Sequence, residues 1–138
     1  MRIVGPADWG DHISGAPLRE LAGLPWVYTS DTCPFFELTR NLFADLDTEP
    51  ERVAYVDSED AVRELIRAGA GISLLRDDDA TAMQDRGEAV CWSGQTPVIE
   101  LGFAVQRQRA GEPLVSALQS VITTMWLDDG MGSDSAEA

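Results

Sequence analysis

The stretch Asp57-Ser-Glu-Asp-Ala-Val-Arg-Glu-Leu-Ile-Arg-Ala-Gly-Ala-Gly-Ile-Ser-Leu-Leu-Arg76 decides how the rest of the chain is read. Ala61, Val62, Leu65, Ile66 and Ala68 recur at helical spacing, and Arg63, Glu64 and Arg67 fall on the opposite face. Asp57 or Ser58 is placed to cap the first turn, and Glu59 and Asp60 suit the positive end of the helix dipole. Gly69 and Gly71 stop the helix, because glycine enters the left-handed region at little cost. Ile72 to Leu75 then run apolar without interruption, the pattern of a strand covered on both faces. A capped helix feeding through glycines into a buried strand is half of an α/β crossover.

Working outward, the same alternation continues in both directions. Upstream, Arg52-Val-Ala-Tyr-Val56 predicts a strand, preceded by a helix that Pro34 opens and whose Phe35, Leu38, Leu42, Phe43 and Leu46 form an apolar stripe. Before it, Ser30 to Pro34 is a polar connection, Trp26 to Thr29 a β-prone strand, and Pro17 to Ala22 a short helix closed by Gly23. Ala7 to Ala16 reads as a polar loop after the short strand Ile3-Val4. Downstream, Asp77, Asp78 and Asp79 favour the start of a helix carrying Ala80, Ala82 and Met83, which Gly87 ends before the strand Ala89 to Trp92. Ile99, Leu101, Phe103 and Val105 alternate with small or polar residues as in a strand with two unlike faces. Pro113 opens a last helix, with Leu114, Val115, Leu118, Val121, Ile122, Met125 and Trp126 on one broad face. From Asp128 the acidic tail is expected to be disordered. The order implies an α/β fold with a mostly parallel sheet covered on both sides.

Composition narrows the function. At 138 residues the chain holds one domain or one domain with part of another, and 44% hydrophobic residues suffice for a core. Its 24 acidic and 10 basic residues leave a net charge of −14, which repels phosphate backbones and anionic lipid headgroups, so neither DNA nor a membrane is expected to bind this chain directly. Two distant cysteines, Cys33 and Cys91, and one histidine, His12, match no metal spacing, and no cofactor is implied. No Ser/His/Asp set or phosphate-binding loop is present, so catalysis is not expected. No apolar run of membrane-spanning length and no signal-peptide core appear, and the expectation is a cytoplasmic protein with reduced thiols.

Five pieces in order carry a family likeness: Leu21-Ala-Gly-Leu-Pro-Trp-Val27, the Ser30 to Pro34 helix start, Val56-Asp-Ser-Glu59, Ala68-Gly-Ala-Gly-Ile-Ser-Leu-Leu75, and Leu101-Gly-Phe-Ala-Val105 with the helix from Pro113 to Trp126. Together they resemble the effector-binding domain of LysR-type transcriptional regulators over about residues 2 to 127. The resemblance implies a type II periplasmic-binding-protein-like fold, two α/β subdomains joined by crossing strands with a small effector between them. Residues 6–98 would form the second subdomain, and 99–127 the returning strand and last helix of the first. Ile3-Val4 and Leu101 to Val105 would be the crossing strands. The domain's first half and the DNA-reading helix-turn-helix are not recognised in this chain, so contact with DNA would pass through another segment or polypeptide. A transport solute-binding protein shares the fold and is the alternative.

In open α/β sheets ligands lie beyond the carboxyl ends of the strands. Two junctions qualify here: Thr29 to Pro34 and Asp57-Ser58. Backbone N–H groups with the Thr29, Ser30 and Thr32 hydroxyls suit a carboxylate or sulfate. The resemblance assigns effector contact to the Ser30 to Phe35 loop, and so to Ser30, Thr32, Cys33, Pro34 and Phe35. Asp31 opposes an anion and favours an amine. Ser30 and Thr32 as plain caps, Cys33 as an inert thiol and Phe35 as core remain the competing reading. By the resemblance, the face of Leu114, Leu118, Val121, Ile122 and Met125 would pack on elements not recognised in this chain, and the expectation is a homo-oligomer, a homodimer or a swapped assembly, that covers it.

Overall fold

Ile72 to Leu75 is buried throughout, and Ser73–Leu75 (β4) lies at the centre of the sheet; the one polar residue, Ser73, donates its hydroxyl to Val27 O at 2.7 Å. The computed structural model describes residues 1–46, 48–99 and 102–128, which fall into two compact units divided after Ile99. In the first unit Arg2–Pro6 (β1) pairs antiparallel with β4 on one side and with Ala89–Cys91 (β5) on the other. Pro25–Thr29 (β2) pairs parallel with Glu51–Val56 (β3). A parallel bridge between Trp26 and Ile72 joins the two ladders, with Val27 N donating to Ile72 O at 2.9 Å and Ile72 N to Pro25 O at 2.9 Å. The resulting order is β3-β2-β4-β1-β5. Four strands point one way and β1 alone runs against them.

The helices cover both faces because the strands alternate. Ile3, Trp26, Tyr28, Ile72 and Leu74 face one core, packed by Gly10–Ile13 (α1), Leu18–Leu21 (α2) and Pro34–Phe43 (α3). Val4, Val27 and Leu75 face a second core with Val62 and Ile66 of Glu59–Arg67 (α4) and Ala80 and Met83 of Asp77–Asp85 (α5). Each fully buried large side chain contributes about 2–3 kcal/mol on the transfer scale. Trp26, at the centre of the first core, also donates its indole N–H to Leu21 O at 2.8 Å, so its one polar atom is satisfied. The helix-to-strand junction works as expected at Gly69, which adopts φ +77°. Gly71 serves a different need, since a Cβ there would lie 2.5 Å from Pro25 O, across the β2–β4 bridge.

Several expectations are corrected. Residues 7–16 are not a plain loop: a 3-10 turn spans Ala7–Trp9, α1 follows, and Ile13 is fully buried. Trp9 and Ile13 among mostly small and polar residues are too little signal for a one-turn helix that tertiary burial stabilises. Ser58 is the N-cap residue of α4, but no side-chain cap bond forms there, and the helix start rests on Glu59, Asp60 and packing. Ile3 and Val4, expected in a crossing strand, sit in β1, which is bonded on both sides. Phe103 and Val105 belong to no strand, because alternation supplies no ladder without a hydrogen-bonding partner; Leu101 lies outside the described residues. In the second unit a 3-10 turn at Arg107–Arg109 precedes Pro113–Asp128 (α6), so Asp128 closes a helix. The remaining acidic tail, 129–138, lies outside the described residues.

Candidate functional site

The strand order reverses direction of travel at β2 and β4: the chain leaves β2 toward the β3 edge and leaves β4 toward the β5 edge. Loops diverging from neighbouring carboxyl ends leave a crevice there. The loop after β2 is Ser30 to Cys33. Its turn is closed by Cys33 N donating to Ser30 O at 2.9 Å, and the Ser30 and Thr32 hydroxyls lie 3.0 Å apart. Cys33 is the N-cap residue of α3 and Pro34 its first residue. Proline offers no N–H, and Phe36 N is already bonded to Cys33 O at 3.0 Å. The anion cradle expected from backbone donors is therefore small.

A cavity of about 450 Å³ opens beside this loop, lined by Ser30, Asp31, Phe36, Arg52, Tyr55 and Asp57. Three expected residues, Ser30, Asp31 and Asp57, thus meet from the ends of β2 and β3. Thr32 reaches the site only through its hydroxyl contact with Ser30. Thr29, Cys33, Pro34, Phe35 and Ser58 are not among the lining residues. Phe35 is half-buried, and Phe36, the next residue, lines the cavity. Thr29 is 7% exposed at the end of β2, and its Oγ1 is buried without a hydrogen-bond partner among the described residues.

Phe36, Arg52 and Tyr55 were not legible in the sequence as cavity-lining residues. Tyr28 and Tyr55 are a cross-strand pair, with ring centroids 6.1 Å apart, and Phe36 stacks near both at 5.6 and 6.4 Å. Arg52 Nη1 donates to the Tyr55 hydroxyl at 2.6 Å, and its guanidinium lies 5.9 Å from that ring centre. A register shift between Trp26 and Val27 brings Arg52 and Tyr55 to one face although they are three residues apart. Strict alternation in β3 would have separated them. The signal available in sequence was the tyrosine itself, an aromatic in an otherwise small edge strand; Tyr55 is 54% exposed. Burial pushes the Tyr28 phenol up to about 12, with Arg52 pulling weakly the other way, so it stays a neutral donor at physiological pH.

The arrangement offers two carboxylates, one guanidinium, hydroxyls and an aromatic wall, and no nucleophile held against a base. Such groups suit the recognition of a small polar molecule. Among the described residues no group of three His, Cys, Asp or Glu side chains is placed to hold a metal ion, and no helix is long and apolar enough to cross a membrane.

A mostly parallel α/β lobe with one reversed strand, and with a polar crevice beside the ends of β2 and β3, is a type II periplasmic-binding-protein-like fold. The chain belongs to the LysR substrate binding domain family, whose model matches residues 3–126. No curated protein matches it. Several solved structures are similar, among them two ligand complexes. One is the effector binding domain of QuiR in complex with shikimate, at 21% identity and a TM-score of 0.58, covering 71% of this chain and 46% of that one. The other is the regulatory domain of Synechocystis PCC6803 CcmR in complex with 2-PG, at 13% identity and a TM-score of 0.66, covering 90% and 61%. At these identities the likeness is one of fold. The chain spans about half of the first domain and three-fifths of the second.

Proposed function

We propose that this domain senses a small polar effector at the crevice formed by Ser30, Asp31, Phe36, Arg52, Tyr55 and Asp57, and passes its occupancy to a transcription regulator. The observation that carries the reading is this convergence of loops from two strand ends, in a chain of the LysR substrate-binding family. Two carboxylates against one guanidinium favour a ligand with hydroxyl or amine groups, the aromatic wall taking its apolar face. Thr29, Thr32, Cys33, Pro34, Phe35 and Ser58 act behind this surface as the frame of the two loops. The domain binds effector without turning it over, needs no cofactor, works in the cytoplasm and contacts DNA only through a separate reader segment. Differential affinity for two arrangements of the regulator would convert binding into a change of state.

A thermal-shift screen of amino acids, hydroxy acids and amines tests this. A true effector at a hundredfold excess over Kd stabilises by about 2.7 kcal/mol, several degrees in Tm. Tyr55→Ala and Asp57→Asn should each remove most of that shift while leaving the unliganded Tm close to the parent value, since both side chains are exposed. Consumption of the stabilising compound, or a shift indifferent to both substitutions, overturns the proposal.

A further inference from the structure

A second cavity, of about 360 Å³, lies under the other end of α3, between its last turn and the start of β3. Its lining includes Tyr28 from β2, Arg40, Asn41 and Phe43 from α3, Glu49 from the connection, and Arg52 from β3. The volume falls at the lower end of the range of small-molecule sites, about 300–1,000 Å³. All ten basic residues of the chain are arginines, and in a protein of net charge −14 two of them line this one cavity.

Most other arginines are held by carboxylates: Arg2 by Asp77, Arg63 by Asp60 and Asp79, Arg67 by Glu64 and Glu88, Arg76 by Asp78. Of the two at the cavity, Arg52 is the less committed. Arg40 meets both carboxylate oxygens of Glu37, on its own helix, at 3.1 and 3.3 Å, in a pair more than half exposed on both sides. Arg52 reaches a carboxylate only at 4.0 Å, that of Glu49, whose side chain is 85% exposed and free to swing into solvent. The nearly buried Tyr28 and the buried Phe43 supply an apolar floor, and the Asn41 amide adds two donors.

We propose that this cavity is a second ligand site, separate from the crevice at the strand ends although Arg52 lies between them and lines both, that takes a small carboxylate with a compact apolar body. Arg40 and Arg52, reaching in from a helix and a strand, grip the carboxylate, and the rings of Tyr28 and Phe43 receive the body. The neutral Tyr28 hydroxyl donates to the bound anion and does not repel it. A bare inorganic anion would leave the apolar floor unused, and a neutral isostere would leave both guanidinium groups without a partner.

NMR titration of the full chain with benzoate, benzamide and inorganic phosphate tests the proposal, read at the arginine Nε–H signals and the amides of Asn41 and Ala44. Benzoate should shift them saturably, with little effect of benzamide or phosphate. Arg40→Gln, at an exposed helix position that leaves the fold intact, should weaken benzoate about tenfold or more, and Arg40→Lys should recover part of the loss. Tyr28→Phe should keep the spectrum folded and weaken binding to a smaller extent. Asp57→Asn, in the other crevice, should leave benzoate affinity here unchanged, which separates failure of one site from failure of the other. Equal binding of benzamide, phosphate shifting the same signals as strongly, no saturable shift by benzoate, or indifference to Arg40→Gln would each overturn it.

Discussion

Gly71 shows how much one hydrogen atom in place of a side chain can decide. Its φ is ordinary, so its role is space: a Cβ would press on Pro25 O and C, backbone atoms that cannot rotate away. Those atoms belong to the bridge that joins β2–β3 to the rest of the sheet. Gly71→Ala is therefore expected to cost about 2–4 kcal/mol, with a lower urea midpoint, whereas Gly69→Ala, strained only through its positive φ, should cost about 1 kcal/mol. Denaturation of the two variants side by side checks this, and equal losses would refute the packing argument. The cysteines divide in a similar way. Cys91 is buried with its thiol pushed up by that burial, while Cys33 is half-buried at the start of α3.

At the scale of elements, α4 and α5 are pinned by charge as well as by core. Arg67 of α4 meets Glu88, just before β5, at 2.8 Å, and Arg86 meets the same carboxylate at 3.0 Å. Hydrogen bonds from Arg86 and then Arg67 hold the Glu88 carboxyl below its ordinary value of 4.5. The folded value is the lower one, so this contribution is fully present above the ordinary value and is lost as pH falls through the folded value. The stability difference between the parent chain and Glu88→Gln should be constant near neutrality and shrink toward zero below about pH 4.5. It will be small, because the pair is solvent-screened. A difference that grows on acidification would contradict the assignment. The main hold is apolar: Val62 and Ile66 are buried against Val4, Val27 and Leu75.

At the scale of the molecule, α6 presents an apolar face that the second unit does not itself cover. Leu114 is 82% exposed, and Leu118, Val121 and Met125 are each about half exposed. Contiguous surfaces of this kind are usually met by a partner. We expect self-association through it, read as a mass above that of the monomer in light scattering, and expect Leu118→Glu with Val121→Glu to return the chain to a monomer. A parent chain that is monomeric at all concentrations without aggregating would sink this. The alternation of elements, the two-sided burial of Ile72 to Leu75, the glycine stop after α4 and the two junctions at residues 29–34 and 57–58 were legible in the sequence. Each depends on local periodicity or on one residue's backbone freedom. The reversed direction of β1, the burial of Ile13, the lack of a ladder at 102–105 and the meeting of Arg52, Tyr55 and Phe36 with Ser30 were decided only by tertiary structure. Strand pairing, register shifts and the facing of a helix onto a strand are relations between distant segments, and no local pattern carries them.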